Sequence, residues 1–358
     1  MKKLLFILLA FVIISTNVLV PFTTAEAASI SKAESLVKTA EQHAGALKWQ
    51  ISYEVTKEIK YPDMKVFNLT KNAYSNASKE IAKLSRKDKE KLKKRLEDNV
   101  GIHITRATGY IDAITSGKKI VDLTNQFNTL YVTQPTSNTT VQKYHDLSSE
   151  IRKQAVILYR VYGKSTRDAI LAKYKKPAEK SLQVSKNIVS TKMQLNNLDK
   201  LIANKASQQS IEANVSKFFV MLDLIVNMEI VTDLYDVYYE TIRKDSNFLT
   251  QEKEIIEFFK KSTEYNNNEN VELLFGLYSE DYPDYLDLKS YIQTTFDELD
   301  LRYETIDVEV QNILDGMAVV SHTEVETDQN ETFGYTITYL LEKDPAGNWK
   351  YLDFLGFE

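Results

Sequence analysis

Between Ser29 and Lys244 the chain carries only five glycines (Gly45, Gly101, Gly109, Gly117, Gly163) and three prolines (Pro62, Pro135, Pro177). A stretch this poor in helix breakers, with apolar residues recurring at three and four, reads as long amphipathic helices. Phe67, Tyr74, Ala77, Ile81 and Leu84 keep that spacing, as do Leu92, Leu96, Val100, Ala107, Ile111 and Ile114. The pattern predicts helices near 30–59, 63–85, 87–131, 138–161, 165–203 and 207–243. Pro62 fits the first turn of the second helix, where its missing N–H costs nothing. Pro135 stops the third helix and Gly163 the fourth. Ser165 and Asp168 are spaced as a capping-box-like start for the fifth, and Pro177 should kink it. The apolar run from Phe218 to Tyr239 carries Asp223, Glu229, Asp233 and Asp236, so it reads as a buried core helix and not a membrane span.

The last hundred residues change period. Helices are expected at 251–265, 269–277 and 286–299, followed by β-branched and aromatic runs at 302–313, 317–326, 332–342 and 349–357. Asp315-Gly316, Asp328-Gln329-Asn330 and Pro345-Ala346-Gly347-Asn348 separate the runs as turns. Short turns between strands make an antiparallel meander, hence an α+β domain, and rule out a doubly wound fold. Ile306, Val308, Val310, Val319, Val325, Ile337, Tyr339, Leu341, Trp349, Tyr351 and Leu355 are expected to curl over helix 251–265, with Phe258 and Phe259 as plugs.

Charge divides the chain unevenly. Residues 1–250 hold 38 Lys and Arg against 25 Asp and Glu; residues 251–358 hold 7 against 25, and the nets of +13 and −18 make the overall −5. Halves of opposite sign suit different partners. With no cysteine, disulfides, thiolate metal sites and thiol catalysis are excluded, and four scattered histidines (His43, His103, His145, His322) leave little for a histidine metal site. No cofactor or metal is expected. Met1-Lys2-Lys3 before LLFILLAFVII reads as an export signal, with Pro21 breaking any helix and Ala25-Glu26-Ala27 placing cleavage before Ala28; an uncleaved anchor is the alternative. No later segment can span a bilayer.

The string Ala155-Val-Ile-Leu-Tyr-Arg-Val-Tyr-Gly-Lys-Ser-Thr-Arg-Asp168, with Arg106-Ala-Thr-Gly-Tyr-Ile-Asp-Ala113, closely resembles the N-terminal region of SbsC-type S-layer proteins over residues 30–240. The resemblance implies triple-helical bundles joined by long shared helices that bind a secondary cell wall polymer, an acidic glycan, on a Gram-positive wall. In place of the family's many β-sandwich domains this chain has one short acidic domain. That tail resembles the nuclear transport factor 2-like cone fold shared with ketosteroid isomerases, in the run from Val271 to Asp281 and the terminal Gly347-Asn-Trp-Lys-Tyr-Leu strand. The expected organisation is a leader at 1–27, helical bundles at 28–115 and 116–245, and an α+β cone with a curved antiparallel sheet at 251–358.

Acidic sugars are held by cations and by flat aromatic faces, Arg adding a fork for carboxylates. Lys48, Trp49, Tyr53, Lys57, Lys60, Tyr61 and Lys65 supply that mixture at helical spacing, with Trp49, Tyr53 and Lys60 on one stripe. By spacing alone Trp49 and Tyr53 suit a core with snorkelling lysines better than a glycan surface; the resemblance reverses that preference. A second cluster, Arg106, Tyr110, Arg152, Arg160, Tyr162, Lys164 and Arg167, surrounds a helix-to-helix turn, where capping and ion pairing are the competing roles. Gly163-Lys164-Ser165-Thr166 is no phosphate loop, because Leu158 stands where the motif needs glycine. The basic run 86–95 contains Asp88 and Glu90 and reads as a solvated helix face, so no nucleic acid is expected. In the tail, His322, Tyr335, Tyr339 and Asp307 are the residues a catalytic cone would use, but His322 reads as a partly exposed strand histidine and no calcium loop is present. The sequence therefore points to an exported, non-enzymatic wall-binding protein displaying a small domain for a protein partner or small ligand. A wall-tethered enzyme with its active site in the cone is the alternative.

Overall fold

A computed structural model describes residues 20–328 and 331–357. The apolar core of the expected leader, residues 4–14, and Gln329-Asn330 of the third turn lie outside the described residues. Helices precede a four-stranded antiparallel sheet, so the chain is a helical region followed by an α+β domain. It divides into two compact units, one of residues 1–134 and 142–185, the other of 135–141 and 186–358.

In the first unit, α1 (Val20–Gln50), α3 (Met64–Ile81) and α4 (Arg86–Leu96) enclose a core of Ala33, Val37, Ala40, Ala44, Ala77, Ile81, Leu92 and Val100. The small residues of α1 recur at helical spacing and let its neighbours come close. A π-helical turn, Glu97–Gly101, joins α4 to α5 (Ile102–Thr133), making the long helix expected over 87–131. Its far half packs with α6 (Asn138–Tyr159) and α7 (Lys164–Ile170) around Tyr110, Ile114, Phe127, Leu147, Leu158, Ile170 and Tyr174. A second π turn, Leu171–Lys175, leads into α8 (Lys176–Ala203). One long helix thus serves two cores.

Several expectations are corrected. Pro21 does not break α1, because it falls in that helix's first turn. The helix expected to reach residue 59 ends at Gln50; Ser52 is extended, α2 is only Tyr53–Thr56, and Lys57 adopts the left-handed conformation with φ 53°. Ser165 is not the cap of α7: Gly163 holds that position with φ 84°, and Asp168 pairs with Lys164 at 2.7 Å. Pro177, expected to kink its helix, stands in the first turn of α8 directly after the widened turn Leu171–Lys175, and the helix runs on through it.

In the second unit the helix expected over 207–243 is two, α9 (Gln208–Leu222) and α10 (Met228–Ile242), the latter capped by Asn227. The run from Phe218 to Tyr239 is therefore not one buried helix. Phe218 stacks on Tyr238 at 5.1 Å inside, whereas Val220, Leu224, Val226 and Met228 are exposed around the break. Helix α11 (Ser246–Asn267) covers the sheet, followed by α12 (Val271–Phe275) and α13 (Tyr285–Glu298). Strands β1 (Arg302–Leu314), β2 (Met317–Thr327), β3 (Thr332–Lys343) and β4 (Trp349–Phe357) pair in chain order. Positive φ at Asp315 (52°) and Gly316 (77°) gives the primed turn a tight hairpin needs.

The inward face of β2 is Ala318, Val320, His322 and Glu324, the opposite parity from the expected Val319 and Val325. Irregularities between Thr305 and Asp307 and between Val310 and Asn312 break the alternation of β1, which leaves Ile306 exposed; Leu355 is exposed as well. Phe258 and Phe259 are buried, with Phe259 against His322, Tyr339 and Tyr351.

Candidate functional site

The end of α1 leaves Lys48 and Trp49 in its last turn, where a cation is favoured by the helix dipole. The Lys48 ammonium lies 4.9 Å from the centroid of the Trp49 ring, which is 54% exposed. On α5, His103, Arg106 and Tyr110 are spaced three and four apart and share one face. Between α6 and α7 the chain turns at Gly163, and that turn presents Tyr162 to Arg106, whose guanidinium carbon sits 3.3 Å from the ring centroid. Arg167 donates to the Val161 carbonyl at 3.4 Å, and the Tyr53 N–H donates to Thr166 Oγ1 at 3.1 Å. These bonds hold the turn and α2 in place.

The residues so assembled line a cleft of about 280 Å³: Lys48, Trp49, Ser52, Glu54, His103, Arg106, Tyr110, Tyr162, Ser165 and Thr166 among them. Neither Lys48 nor Arg106 has a hydrogen-bonding or ion-pairing partner among the described residues; each is held only against an aromatic face. His103 was missed as a site residue in the sequence, although its spacing from Arg106 and Tyr110 was visible. Its Nδ1 is buried without a partner, and burial, then the charges of Arg106 and Lys48, hold its pKa below the usual imidazole value. Burial likewise raises the pKa of Tyr110, which closes the floor from the core side.

A groove of about 450 Å³ shares Lys48, Trp49 and His103 with this cleft and is otherwise lined by Glu41, Gly45, Arg95 and Asn99. There Arg95 is matched: it donates to Glu41 from Nε at 2.8 Å and from Nη2 at 2.6 Å, and Asn99 donates to the same carboxylate at 2.7 Å. These donors, Arg95 first, hold the Glu41 carboxyl below the usual range.

The remaining sequence-predicted residues are dispersed. Because α1 ends early, Trp49, Tyr53 and Lys60 form no stripe. Tyr53 packs on the second core; Lys60 pairs with Glu58 at 2.8 Å; and Tyr61 meets Thr115 Oγ1 at 2.9 Å beneath Lys118. Lys57 and Lys65 are exposed away from the cleft lining. Arg160 lines a separate cavity with Asp112 and Thr115, Lys164 is held by Asp168, and Arg152 donates to Ser148. So Lys48, Trp49, Arg106, Tyr110 and Tyr162 converge, from two sequence clusters, and the others do not.

In the α+β domain His322 is buried, not partly exposed: Nε2 lies 3.1 Å from Thr305 Oγ1 and the ring 4.4 Å from Phe259. Burial lowers its pKa to about 4. Burial raises that of Glu324, which accepts from Tyr335 Oη at 2.9 Å. Tyr339 joins the aromatic filling and Asp307 is exposed on β1, so these groups do not share one open cleft. Among the described residues no cluster of His, Asp or Glu is arranged to hold a metal ion, and no helix is long and apolar enough to cross a membrane.

Comparison with known families matches residues 48–179 to the SbsC C-terminal domain and residues 257–353 to the C-terminal domain of anti-sigma-I factor RsgI9. Among solved structures, surface layer protein SbsC, domains 1–6, is similar at 15% identity and a TM-score of 0.43, over 90% of this chain and 41% of that one. The N-terminal part of the bacterial S-layer protein SbsC aligns at 15% identity and a TM-score of 0.44, over 90% of this chain and 71% of that one. A ketosteroid isomerase-like protein from Erwinia carotovora atroseptica covers 28% of this chain and 89% of its own at 18% identity, with a TM-score of 0.23. The present chain thus spans well under half of the first S-layer chain. The comparison with curated proteins finds no match.

Proposed function

We propose that this is an exported protein of the Gram-positive cell surface whose helical part, residues 28–245, binds an acidic secondary cell wall polymer. In this reading residues 1–27 are the leader, and residues 251–358 are a displayed, non-catalytic module for a protein or small-molecule partner. The observation that carries the reading is the pair Lys48 and Arg106: two cations without carboxylate partners among the described residues, each against a ring, in one cleft. Such a surface offers charge for an acid and flat faces for a pyranose. The match of residues 48–179 to an SbsC domain family supports the S-layer setting.

The test is co-sedimentation of the chain from Ala28 onward with purified wall sacculi, before and after the wall polymer is extracted. Binding that disappears with the polymer is expected. Binding that persists on stripped peptidoglycan would overturn the assignment of the partner.

A further inference from the structure

The cleft and the neighbouring groove share a wall made of Lys48, Trp49 and His103. Each lining sets Lys48 and one arginine against one glutamate, Glu54 in the cleft and Glu41 in the groove, so what differs is how the arginine is paired. On one side Arg106 has its face covered by Tyr162 and its N–H edge without a hydrogen-bonding partner among the described residues; on the other, Arg95 is satisfied twice by Glu41, with Asn99 completing the network. An uncompensated guanidinium whose face is occupied offers a planar fork that matches a carboxylate. A compensated Arg–Glu–Asn network offers no net charge, but both donors and acceptors, which suits the hydroxyls and amide of a neutral sugar. With about 280 Å³ the first cleft lies just below the range of drug-sized sites and holds a single ring.

Resting on the glycan reading above, we propose that the Lys48–Trp49–His103 wall separates two consecutive sugar subsites. The Arg106–Tyr162 cleft takes a carboxylated pyranose, and the Glu41–Arg95–Asn99 groove takes the neutral sugar joined to it. The half-exposed Trp49 ring lies at the border of both sites, where it can cover the apolar face of a ring at the linkage. The preferred ligand is thus an alternating acidic–neutral disaccharide, and neither a run of acids nor a single sugar reproduces the fit.

The experiment uses the full chain in a Trp349→Phe background, so that Trp49 is the remaining tryptophan and reports binding by its fluorescence. The probes are glucuronic acid, glucose 6-phosphate, N-acetylglucosamine and a glucuronic acid–N-acetylglucosamine disaccharide, with calorimetry in parallel. The disaccharide is expected to bind at least tenfold more tightly than glucuronic acid, and glucuronic acid more tightly than the phosphate. Arg106→Gln should abolish the preference for the acid, and Asn99→Ala should bring the disaccharide down to the affinity of glucuronic acid alone. Equal affinity for disaccharide and glucuronic acid, or a disaccharide advantage that survives Asn99→Ala, overturns the two-subsite proposal. A preference for the phosphate overturns the assignment of the acidic group. Wall sacculi carrying their polymer separate the two levels: capture there with no disaccharide advantage leaves the polymer reading standing, whereas no capture removes both.

Discussion

The ring of Tyr174 rests on the backbone of Gly117: a β-carbon at 117 would lie under 3.0 Å from Cγ, Cδ1 and Cδ2 of that ring. Tyr174 belongs to the π turn of residues 171–175, so the widened turn and the bare backbone of α5 meet at one point in the core. Gly117→Ala must push the ring away, and overpacking of this kind costs about 1–3 kcal/mol. Thermal unfolding followed by circular dichroism should show Gly117→Ala less stable than the parent. Gly117→Ala combined with Tyr174→Leu should lose less than the two single changes together, because the pair is in contact.

The placement of the lysines separates two kinds of charge reversal. Lys48→Glu and Arg106→Glu should each weaken capture by polymer-bearing sacculi tenfold or more with little change in helix content. Lys57→Glu with Lys60→Glu should change it less than threefold, since Lys60 is occupied by Glu58 and neither lines the cleft. Raising salt from low ionic strength to 0.15 M should weaken the parent, because exposed charges are then screened over about 8 Å. A larger loss in the Lys57/Lys60 double variant than in Lys48→Glu would move the site elsewhere.

Acid should tighten binding through His103. Its neutral form is favoured in the free protein by burial and by Arg106 and Lys48. An anion in the cleft offsets those two charges and raises the imidazole's proton affinity, so binding takes up part of a proton. Affinity for glucuronic acid is expected to rise between pH 7.5 and pH 5.5, and His103→Gln should flatten that slope in calorimetry. Glu54, Glu41 and Arg95 line the two spaces as well, and the His103→Gln control separates their share.

Buried His322 and Glu324 act in opposite directions on the α+β domain. A histidine whose pKa falls from 6.5 to about 4 on folding contributes stability that is complete above 6.5 and is lost as pH drops toward 4, about 3 kcal/mol in all. The raised Glu324 works the other way, its penalty being relieved as pH falls through its folded value. Urea unfolding between pH 7 and pH 4.5 should therefore show a steeper acid loss in Glu324→Gln than in the parent, and a shallower one in His322→Gln.

Element types and most boundaries were legible because the apolar period changes from helical to alternating near residue 300, and because Pro135, Gly163, Asp315-Gly316 and Pro345-Ala346-Gly347-Asn348 fall between elements. The four strands start at Arg302, Met317, Thr332 and Trp349, as the alternation predicts. The end of α1 at Gln50 was not legible, since no breaker stands there; it is fixed by a bond from Tyr53 to Thr166, more than a hundred residues away. The same long-range event moved Tyr53 into the core and left Trp49 at the cleft. The break before α10 did carry a signal, because Asn227 accepts from the Ile230 N–H at 3.3 Å as a helix cap. Sequence identified five cleft residues in two clusters but not that they meet, since only the turn at Gly163 brings Tyr162 over Arg106.

The continuous helix from Arg86 to Thr133, roughly 70 Å at 1.5 Å per residue, carries His103 and Arg106 where it passes from the core around Leu92 to the core around Phe127. A pull that separates those two cores must bend or unwind this rod before it can splay the groups that grip a ligand. Holding power under tension and the shape of the cleft therefore depend on one mechanical member, and a break near residue 101 would weaken both together.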